Sequence, residues 1–437
     1  MRVLYFLFAW LYKKQRWLLK HFTPTGLGLL TSIAATIIIG LDTKQTMAYQ
    51  VLTFLIALLS IAIIFSFFFR FRFSVKRNLP PFATVGVKFS YRLTVTNHTK
   101  EQQSGLEFIE EIGNQKISLV EFKQIKEGRN SFTYIYSRWL KAIARDKKAT
   151  SRAIALPTLK PLSDIVVKGE ITPTHRGVTR LTGISVLRAD PFNIYRAIRT
   201  ISLPQSILIL PKRYRLPTIN LPGSRMSQSG TVSLASSVGD SEEFVSLRDY
   251  RPGDPLRKIH WKSWAKTDKP VVKEEQSEFF VRHALILDTF QLQAESDILE
   301  EAISVAASFA CDFHTQESLL DLMFVGLESY CFTSGRGLGS SEQMLEILAG
   351  VRACQDKSFE FLTATVLERL SLLSGCICVL IAWDDARKKL VEQLQSFKIP
   401  LLVLLLAESE KDYREINLEN VNVLPLNKIQ ESLLSLR

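Results

Sequence analysis

The feature that most constrains this chain is a pair of long uncharged apolar runs near its start. Residues 22–41 and 46–69 carry no charged side chain, and only Asp42-Thr43-Lys44-Gln45 separates them. At about 1.5 Å per helical residue, each run reaches across a hydrocarbon layer of about 30 Å. So short a link forces an antiparallel helical hairpin whose two outer ends emerge on the same side. Lys13, Lys14, Arg16 and Lys20 precede the hairpin, and Arg70, Arg72, Lys76 and Arg77 follow it. The positive-inside rule therefore predicts a two-pass protein with both termini and all later domains on the cytoplasmic side. Five cysteines, all beyond residue 310, form no evenly spaced disulfide framework, which agrees with a reducing compartment.

Residues 3–12 form a third apolar stretch, rich in aromatics and ending at Lys13-Lys14. It is too short to span, and no small-residue cleavage site follows it, so a removable signal peptide is not expected. An aromatic segment beside four basic residues suits the lipid headgroup region, which makes residues 1–21 a basic, aromatic, cytoplasmic lead-in.

The net charge of +12 is unevenly placed: residues 1–80 carry +9, residues 81–282 carry +14 and residues 283–437 carry −11. A basic first part joined to an acidic last part does not resemble a uniform nucleic-acid binder, and the excess can face anionic lipid instead. Membrane lipids are thus an expected partner and nucleic acid is not.

Beyond the hairpin, Val85, Val87, Phe89, Tyr91, Leu93 and Val95 alternate with smaller or polar residues, the period of a half-buried strand. Further short runs at 106–112, 117–122, 131–136, 164–167 and 178–187 predict an all-β, sandwich-like domain over 80–200, with a basic loop over 138–152. After residue 280, continuous apolar runs at 284–287, 319–325, 376–382 and 399–406 alternate with helical patterns at 298–313, 341–351, 361–373 and 385–397. That alternation predicts a parallel-rich α/β domain over 283–437, covered on both faces. The fold class is therefore multidomain: a transmembrane hairpin at 22–69, a β-sandwich-like domain, a connecting segment at 201–282 and an α/β domain.

Residues 239–278 are the most chemically loaded stretch, with eight basic and nine acidic residues interleaved with Phe244, Tyr250, Trp261 and Trp264. Arg248-Asp249-Tyr250 leads into the turn Pro252-Gly253-Asp254, and Ile259-His260-Trp261-Lys262 follows. Pro252 presets φ and Gly253 accepts positive φ. Burial of Trp261 within one cluster formed by Arg248, Asp249, Tyr250 and His260 is expected. With Val271-Val272-Lys273-Glu274, these residues resemble the bacterial proteins of domain-of-unknown-function family 58. The resemblance implies a membrane protein of the bacterial cytoplasmic membrane that works with a MoxR-type AAA+ ATPase, and a C-terminal domain similar to a von Willebrand factor A fold.

Folds of that kind often hold a divalent metal through an Asp-x-Ser-x-Ser loop after their first strand. Here that loop reads Asp288-Thr289-Phe290-Gln291-Leu292, and Phe290 and Leu292 offer no oxygen to a hard cation. Asp384 and Asp385 add carboxylates at a later strand end, where helix capping is the simpler role. No metal and no cofactor is expected. The sequence contains no Gly-x-x-x-x-Gly-Lys loop, no Gly-x-Ser-x-Gly elbow and no His-Glu-x-x-His pair. Cys376 and Cys378 fall inside a buried strand and read as core thiols. The expected function is a non-catalytic, membrane-anchored adaptor. The alternative is a membrane-bound enzyme or metal-dependent binding module centred on Arg248-Asp249-Tyr250 and His260, with Gly253, Asp254, Trp261 and Lys262 completing the motif.

Overall fold

The structure, a computed structural model, describes residues 2–39, 46–69, 72–113, 119, 122–123, 131–145, 147–217, 242–254, 256, 259–267, 269–277, 281–293, 296–312, 318–335, 340–408 and 421–436. Apart from the stretch Leu348–Gly350, it divides into two units, Met1–Lys212 and Arg213–Arg437.

The first unit opens with three helices: α1 (Arg2–His21), α2 (Pro24–Ile39) and α3 (Thr46–Phe67). The short apolar stretch at 3–12 is thus the first half of a longer helix, because neither proline nor glycine interrupts the chain before Pro24. Thr23 then starts α2. Its hydroxyl accepts the Gly26 N–H at 3.1 Å, and Pro24 takes the first helical position, where no donor is missed. Helices α2 and α3 pack against each other. Met47–Phe67 is long and apolar enough to cross a membrane, and Pro24–Ile39 is a shorter apolar helix. The intervening Asp42-Thr43-Lys44-Gln45 lies outside the described residues.

The foot of this hairpin is docked on the β part of the unit. The Thr23 N–H donates to the Ile194 carbonyl at 3.2 Å, and the hydroxyls of Thr23 and Thr25 donate to the Asn193 carbonyl. A Cβ on Gly26 would lie 2.0 Å from the Ile194 oxygen, so only glycine permits this approach. Asp190 holds the receiving turn by accepting the Ile194 N–H at 2.7 Å.

The strands of this unit are β1 (Phe73–Asn78), β2 (Phe82–Thr84), β3 (Phe89–Asn97), β4 (Leu106–Ile112), then, after helix α4 (Phe132–Arg145), β5 (Ala149–Ser151), β6 (Ile154–Ala155), β7 (Asp164–Pro173), β8 (Gly177–Ala189) and β9 (Arg196–Leu210). They form two sheets, ordered β1-β3-β7-β5 and β2-β9-β8-β4-β6. Tyr91, Leu93 and Val95 of the first sheet share a core with Leu106, Phe108, Ile184 and Val186 of the second. The alternation seen in the sequence is real for β3, but Gly86, at φ +75°, turns the chain before Phe89 and separates Val85 from the strand.

Two expectations are corrected here. Residues 131–136, expected as a strand, open α4, and the basic loop expected over 138–152 is mostly the rest of that helix. Ser-Phe-Thr-Tyr-Ile-Tyr looks alternating in isolation, yet Phe132, Ile135, Tyr136, Trp139 and Ile143 recur at helical spacing, and the longer pattern prevails. Most of the run at 117–122 lies outside the described residues. Strand β9, unforeseen, contains Pro204. The ladder with β8 accommodates it by a register shift between Leu181 and Gly183.

A buried polar network joins the two sheets. Arg77 on β1 donates to both Glu110 oxygens on β4, at 3.2 and 2.7 Å, and the Tyr91 hydroxyl donates to Glu110 Oε1 at 2.5 Å. Further guanidinium bonds reach the carbonyls of Leu203 and Gly183. Burial raises both the Glu110 carboxyl and the Tyr91 hydroxyl above their usual ranges. Removing one member strands the other charge away from water. Arg77→Met is therefore expected to destabilise the β unit by about 3–5 kcal/mol in denaturant titrations of the detergent-solubilised chain. Lys88→Ala, which breaks an exposed pair with Glu170, should leave the transition unmoved.

The second unit contains the hairpin strands β10 (Glu242–Asp249) and β11 (Val271–Ser277), with the short helix α5 (Trp261–Thr267) between them. It continues as β12 (Val281–Leu287), α6 (Asp297–Asp312), β13 (Ser318–Val325), β14 (Ser329–Ser334), α7 (Ser341–Gly350), α8 (Glu360–Arg369), β15 (Gly375–Leu380), α9 (Asp385–Ser396), β16 (Leu401–Ala407), β17 (Val421–Pro425) and α10 (Ile429–Leu434). The six-stranded sheet is ordered β14-β13-β12-β15-β16-β17, parallel except for the edge strand β14. Ala284, Ile286, Cys376, Cys378, Val403 and Leu405 face α8 and α9 in one core, while α6 packs on β12, β15 and β16. The apolar runs of the sequence thus correspond to β12, β13, β15 and β16, buried on both faces. Cys376 and Cys378 are free and buried on one face, and burial pushes the Cys376 thiol up to about 12.

Candidate functional site

The polar segment folds as a hairpin whose closed end gathers the motif residues. Strands β10 and β11 pair antiparallel, with Arg248 opposite Val272 and Asp249 opposite Val271. The Tyr250 N–H donates to the Pro270 carbonyl at 2.9 Å, and the His260 N–H donates to the Val271 carbonyl at 2.8 Å. Both halves of the motif are therefore tied to the start of β11, above buried Ile259, Val271 and Val272. Gly253 turns the chain at φ +108°, a conformation that side chains resist.

Arg248 is paired with Asp254. Its Nη1 and Nη2 each donate to a separate carboxylate oxygen at 2.7 Å, a two-pronged contact that fixes the turn. The Arg251 N–H adds a bond to Asp254 at 2.9 Å. His260 sits at the start of α5, its Nδ1 2.6 Å from the Ser263 hydroxyl. Asp249 and Lys262 are exposed.

Burial of Trp261 is corrected by the structure: its side chain is 63% exposed. The inward position is taken by Ile259, and Trp261 begins a helix of only seven residues with too little inner face to cover an indole. Its shelter comes from Trp264, stacked at 5.3 Å between ring centroids and 20° between planes. Lys262 and Lys266 lie exposed on the same helix. The result is a paired aromatic surface set among cations.

A second constellation lies at the carboxyl ends of the central strands. The chain winds outward from β12 through β13 to β14, then returns to β15 on the other side of β12. The crevice between β12 and β15 is the topological switch point, where open α/β sheets place their ligands. Asp288 and Asp384 both stand there, as the sequence places them, but they are joined by a residue that sequence reading missed. Arg387 donates from Nε to Asp288 Oδ2 at 2.6 Å and from Nη2 to Oδ1 at 3.0 Å. It also bonds Asp384 through Nη1 and the Phe290 carbonyl through Nη2, and it lies over the Phe359 ring. The N–H groups of Phe290 and Ile381 complete the bonds to Asp288. Asp384 also caps α9 by accepting the Arg387 N–H at 3.0 Å.

A guanidinium thus occupies the space between carboxylates where a cation would sit, and the chain supplies its own positive charge. Burial raises the Asp288 carboxyl above its usual range. Burial alone would lower the Arg387 proton affinity, and the two aspartates outweigh it. Among the described residues, no group of three His, Cys, Asp or Glu side chains is placed to hold a metal ion. The available signal for Arg387 was an aspartate after a buried strand followed three residues later by arginine in the next helix.

No family model matches the chain. It is 24% identical over 212 residues to "Uncharacterized protein YeaD" of Bacillus subtilis (strain 168), covering 48% of this chain and 51% of that protein. The chain therefore spans about half the length of the curated relative it matches.

Two outcomes follow from these geometries. The Arg248 bonds, with that of the Arg251 N–H, pull the Asp254 carboxyl down to about 2. Because this pKa is depressed on folding, the stabilisation is fully present above about pH 4, the unfolded value, and is lost as pH falls toward 2. A carboxyl-carbon NMR titration should show that midpoint, and Arg248→Met should return it toward about 4. At the switch point, Arg387→Ala leaves Asp288 buried without its counter-charge and should destabilise the sheet by about 3–5 kcal/mol, read as faster hydrogen exchange at Leu285 to Leu287. Asp384→Ala, with its side chain 53% exposed, should cost only about 1 kcal/mol as a lost cap.

Proposed function

We propose that this protein is a non-catalytic adaptor anchored in the bacterial cytoplasmic membrane, whose partner-binding surface is the Trp261–Trp264 end of the β10–β11 hairpin. The observation that carries the reading is the stacked indole pair on α5, with Trp261 exposed and Trp264 half-buried, beside the turn that Arg248 and Asp254 brace. Tryptophan is enriched among residues that dominate binding energy, and a rigid aromatic anchor loses little entropy when covered. The apolar helices α2 and α3 supply the anchor. The basic flanks support an orientation with both termini and the later domains on the cytoplasmic side.

The motif resemblance makes a MoxR-type AAA+ ATPase the expected partner. A von Willebrand factor A-like reading of the α/β unit draws support from its parallel sheet with Asp288 after the first strand. The Arg387 bridge favours a metal-independent version of such a fold.

Pull-down of the detergent-solubilised full chain with a MoxR-type ATPase, with and without ATP, tests the adaptor reading. Association is expected, and Trp261→Ala should weaken it by about 2 kcal/mol or more, about 30-fold in Kd. No association in either nucleotide state would count against it.

The His260–Ser263 contact favours one second reading, an enzyme in which the imidazole activates the hydroxyl. A serine-directed covalent probe that labels the chain, with labelling lost in Ser263→Ala, would replace the adaptor reading with that one.

A further inference from the structure

Helix α1 is apolar on two opposite sides. Phe8 points inward and is fully buried among aromatic rings. Its ring centroid lies 5.8 Å from Phe122, 4.9 Å from Phe132, 5.1 Å from Tyr136 and 5.9 Å from Trp139. This cluster joins α1 to α4. At 100° per residue, Val3, Phe6, Trp10 and Trp17 share the face away from Phe8, and they are 82%, 64%, 55% and 47% exposed. A helix on a water-facing surface carries a polar face there.

The polar residues on and beside that face are cations. Helix α1 contains Arg2, Lys13, Lys14, Arg16 and Lys20 and no acidic residue. Lys14 Nζ lies 5.7 Å from the Trp10 ring centroid. Helix α4 is built the same way. Its inner face supplies Ile135 and Trp139 to the cluster, while Arg138, Lys141 and Arg145 form an exposed basic stripe at helical spacing, again without an acid. Arg138 lies over the Tyr134 ring, 5.9 Å from its centroid.

The position of α1 is fixed as well. Only Phe22 and Thr23 separate it from α2. Lys20 pairs with Glu111 and donates to the Ser185 hydroxyl at 3.0 Å, and Trp17 stacks on His21 at 4.6 Å. The exposed aromatic face is therefore held at the foot of the apolar hairpin.

We propose that α1 seats its outward aromatic face in the headgroup layer of an anionic bilayer, beside the hairpin that crosses it, with the basic stripe of α4 adding positive charge behind it. This inference rests on the membrane reading of α2 and α3. Tryptophan with lysine and arginine is the composition that partitions to the headgroup level. The excess of cations without acids selects anionic over zwitterionic lipid. Continuity with the hairpin makes a lipid surface the occupant, and an acidic protein docking on the same face is an outcome that the test separates.

The full chain is placed in nanodiscs whose acyl chains are brominated near the headgroup, either phosphatidylcholine alone or with phosphatidylglycerol. The chain has six tryptophans. Bromine should quench the wild-type emission, and the double variant Trp10→Phe, Trp17→Phe should lose most of that quenching although Trp139, Trp261, Trp264 and Trp383 remain. Quenching should be stronger with phosphatidylglycerol. The charge-reversed variant Arg138→Glu, Lys141→Glu, Arg145→Glu should lose that difference while its near-ultraviolet circular dichroism, which reports the Trp139 cluster, stays unchanged.

Equal quenching in wild type and the double variant would place Trp10 and Trp17 in water, as docking of an acidic protein requires, and would overturn the proposal. Equal quenching in the two lipid mixtures would overturn its anionic selectivity. A chain that separates from the discs without detergent would overturn the membrane reading itself, an outcome distinguishable from the other two.

Discussion

The first unit depends on how its two apolar helices are joined to a folded β structure without loose chain at their foot. The contact of Gly26 with the Ile194 carbonyl, and of the Thr23 and Thr25 hydroxyls with the Asn193 carbonyl, solves this with backbone atoms and short hydroxyls rather than long side chains. Such short contacts tolerate little lateral play, because a displacement of an ångström loses the hydrogen bonds. At the other end, α3 runs to Phe67 and β1 begins at Phe73, and the Arg188 guanidinium lies 5.4 Å from the Phe69 ring centroid. Each end of the hairpin thus makes a contact with the β structure.

The second unit achieves fixity differently. Its sheet is buried on both faces, and where the central strand β12 ends it leaves Asp288 fully buried beside Thr289, whose hydroxyl is spent on the Val325 carbonyl. A cation there is required by electrostatics, since a carboxylate without a counter-charge in so dry a position is strongly unfavourable. Arg387 provides it from within the chain, on the first turn of the helix that Asp384 caps. Cation supply and helix initiation are thus one arrangement, independent of the ionic content of the surroundings.

Much of this organisation was legible in the sequence, and the failures have physical causes. Residues buried on both sides, such as those of β12, β15 and β16, write their structure as uninterrupted apolar runs, and these were read to within a few residues. Helix α4 was misread because six residues of alternating aromatics satisfy a strand pattern, while the partner that selects the helix, Phe8, lies far away along the chain. Pro204 concealed β9, since the register shift that admits it is a property of the pairing and not of the strand. At the hairpin, the sequence reading grouped Arg248, Asp249, Tyr250, His260 and Trp261 in one cluster, whereas Arg248 pairs with Asp254, His260 with Ser263 and Trp261 with Trp264. The exposure of Trp261 was not foreseen, because burial depends on how much inner surface a seven-residue helix leaves, and composition does not record that. Arg387 escaped notice for a similar reason: a single arginine among the many charges of α9 acquires meaning only when Asp288 is folded against it.

One detail of β4 has a broader consequence. Glu110 and Glu111 are adjacent, and because successive residues of a strand point to opposite faces, the first reaches into the core toward Arg77 while the second reaches outward toward Lys20. Hydrophobic side chains tolerate exchange for one another, but these two carboxylates are addressed to different partners and are not interchangeable. Slipping β4 by one residue would carry one acid into the other's place and put an isoleucine where the second is needed, leaving either the core arginine or the helix lysine without an anion. The strand therefore carries a two-sided electrostatic key, and an insertion or deletion within it would disturb the contact with helix α1 and the interior between the sheets at the same time.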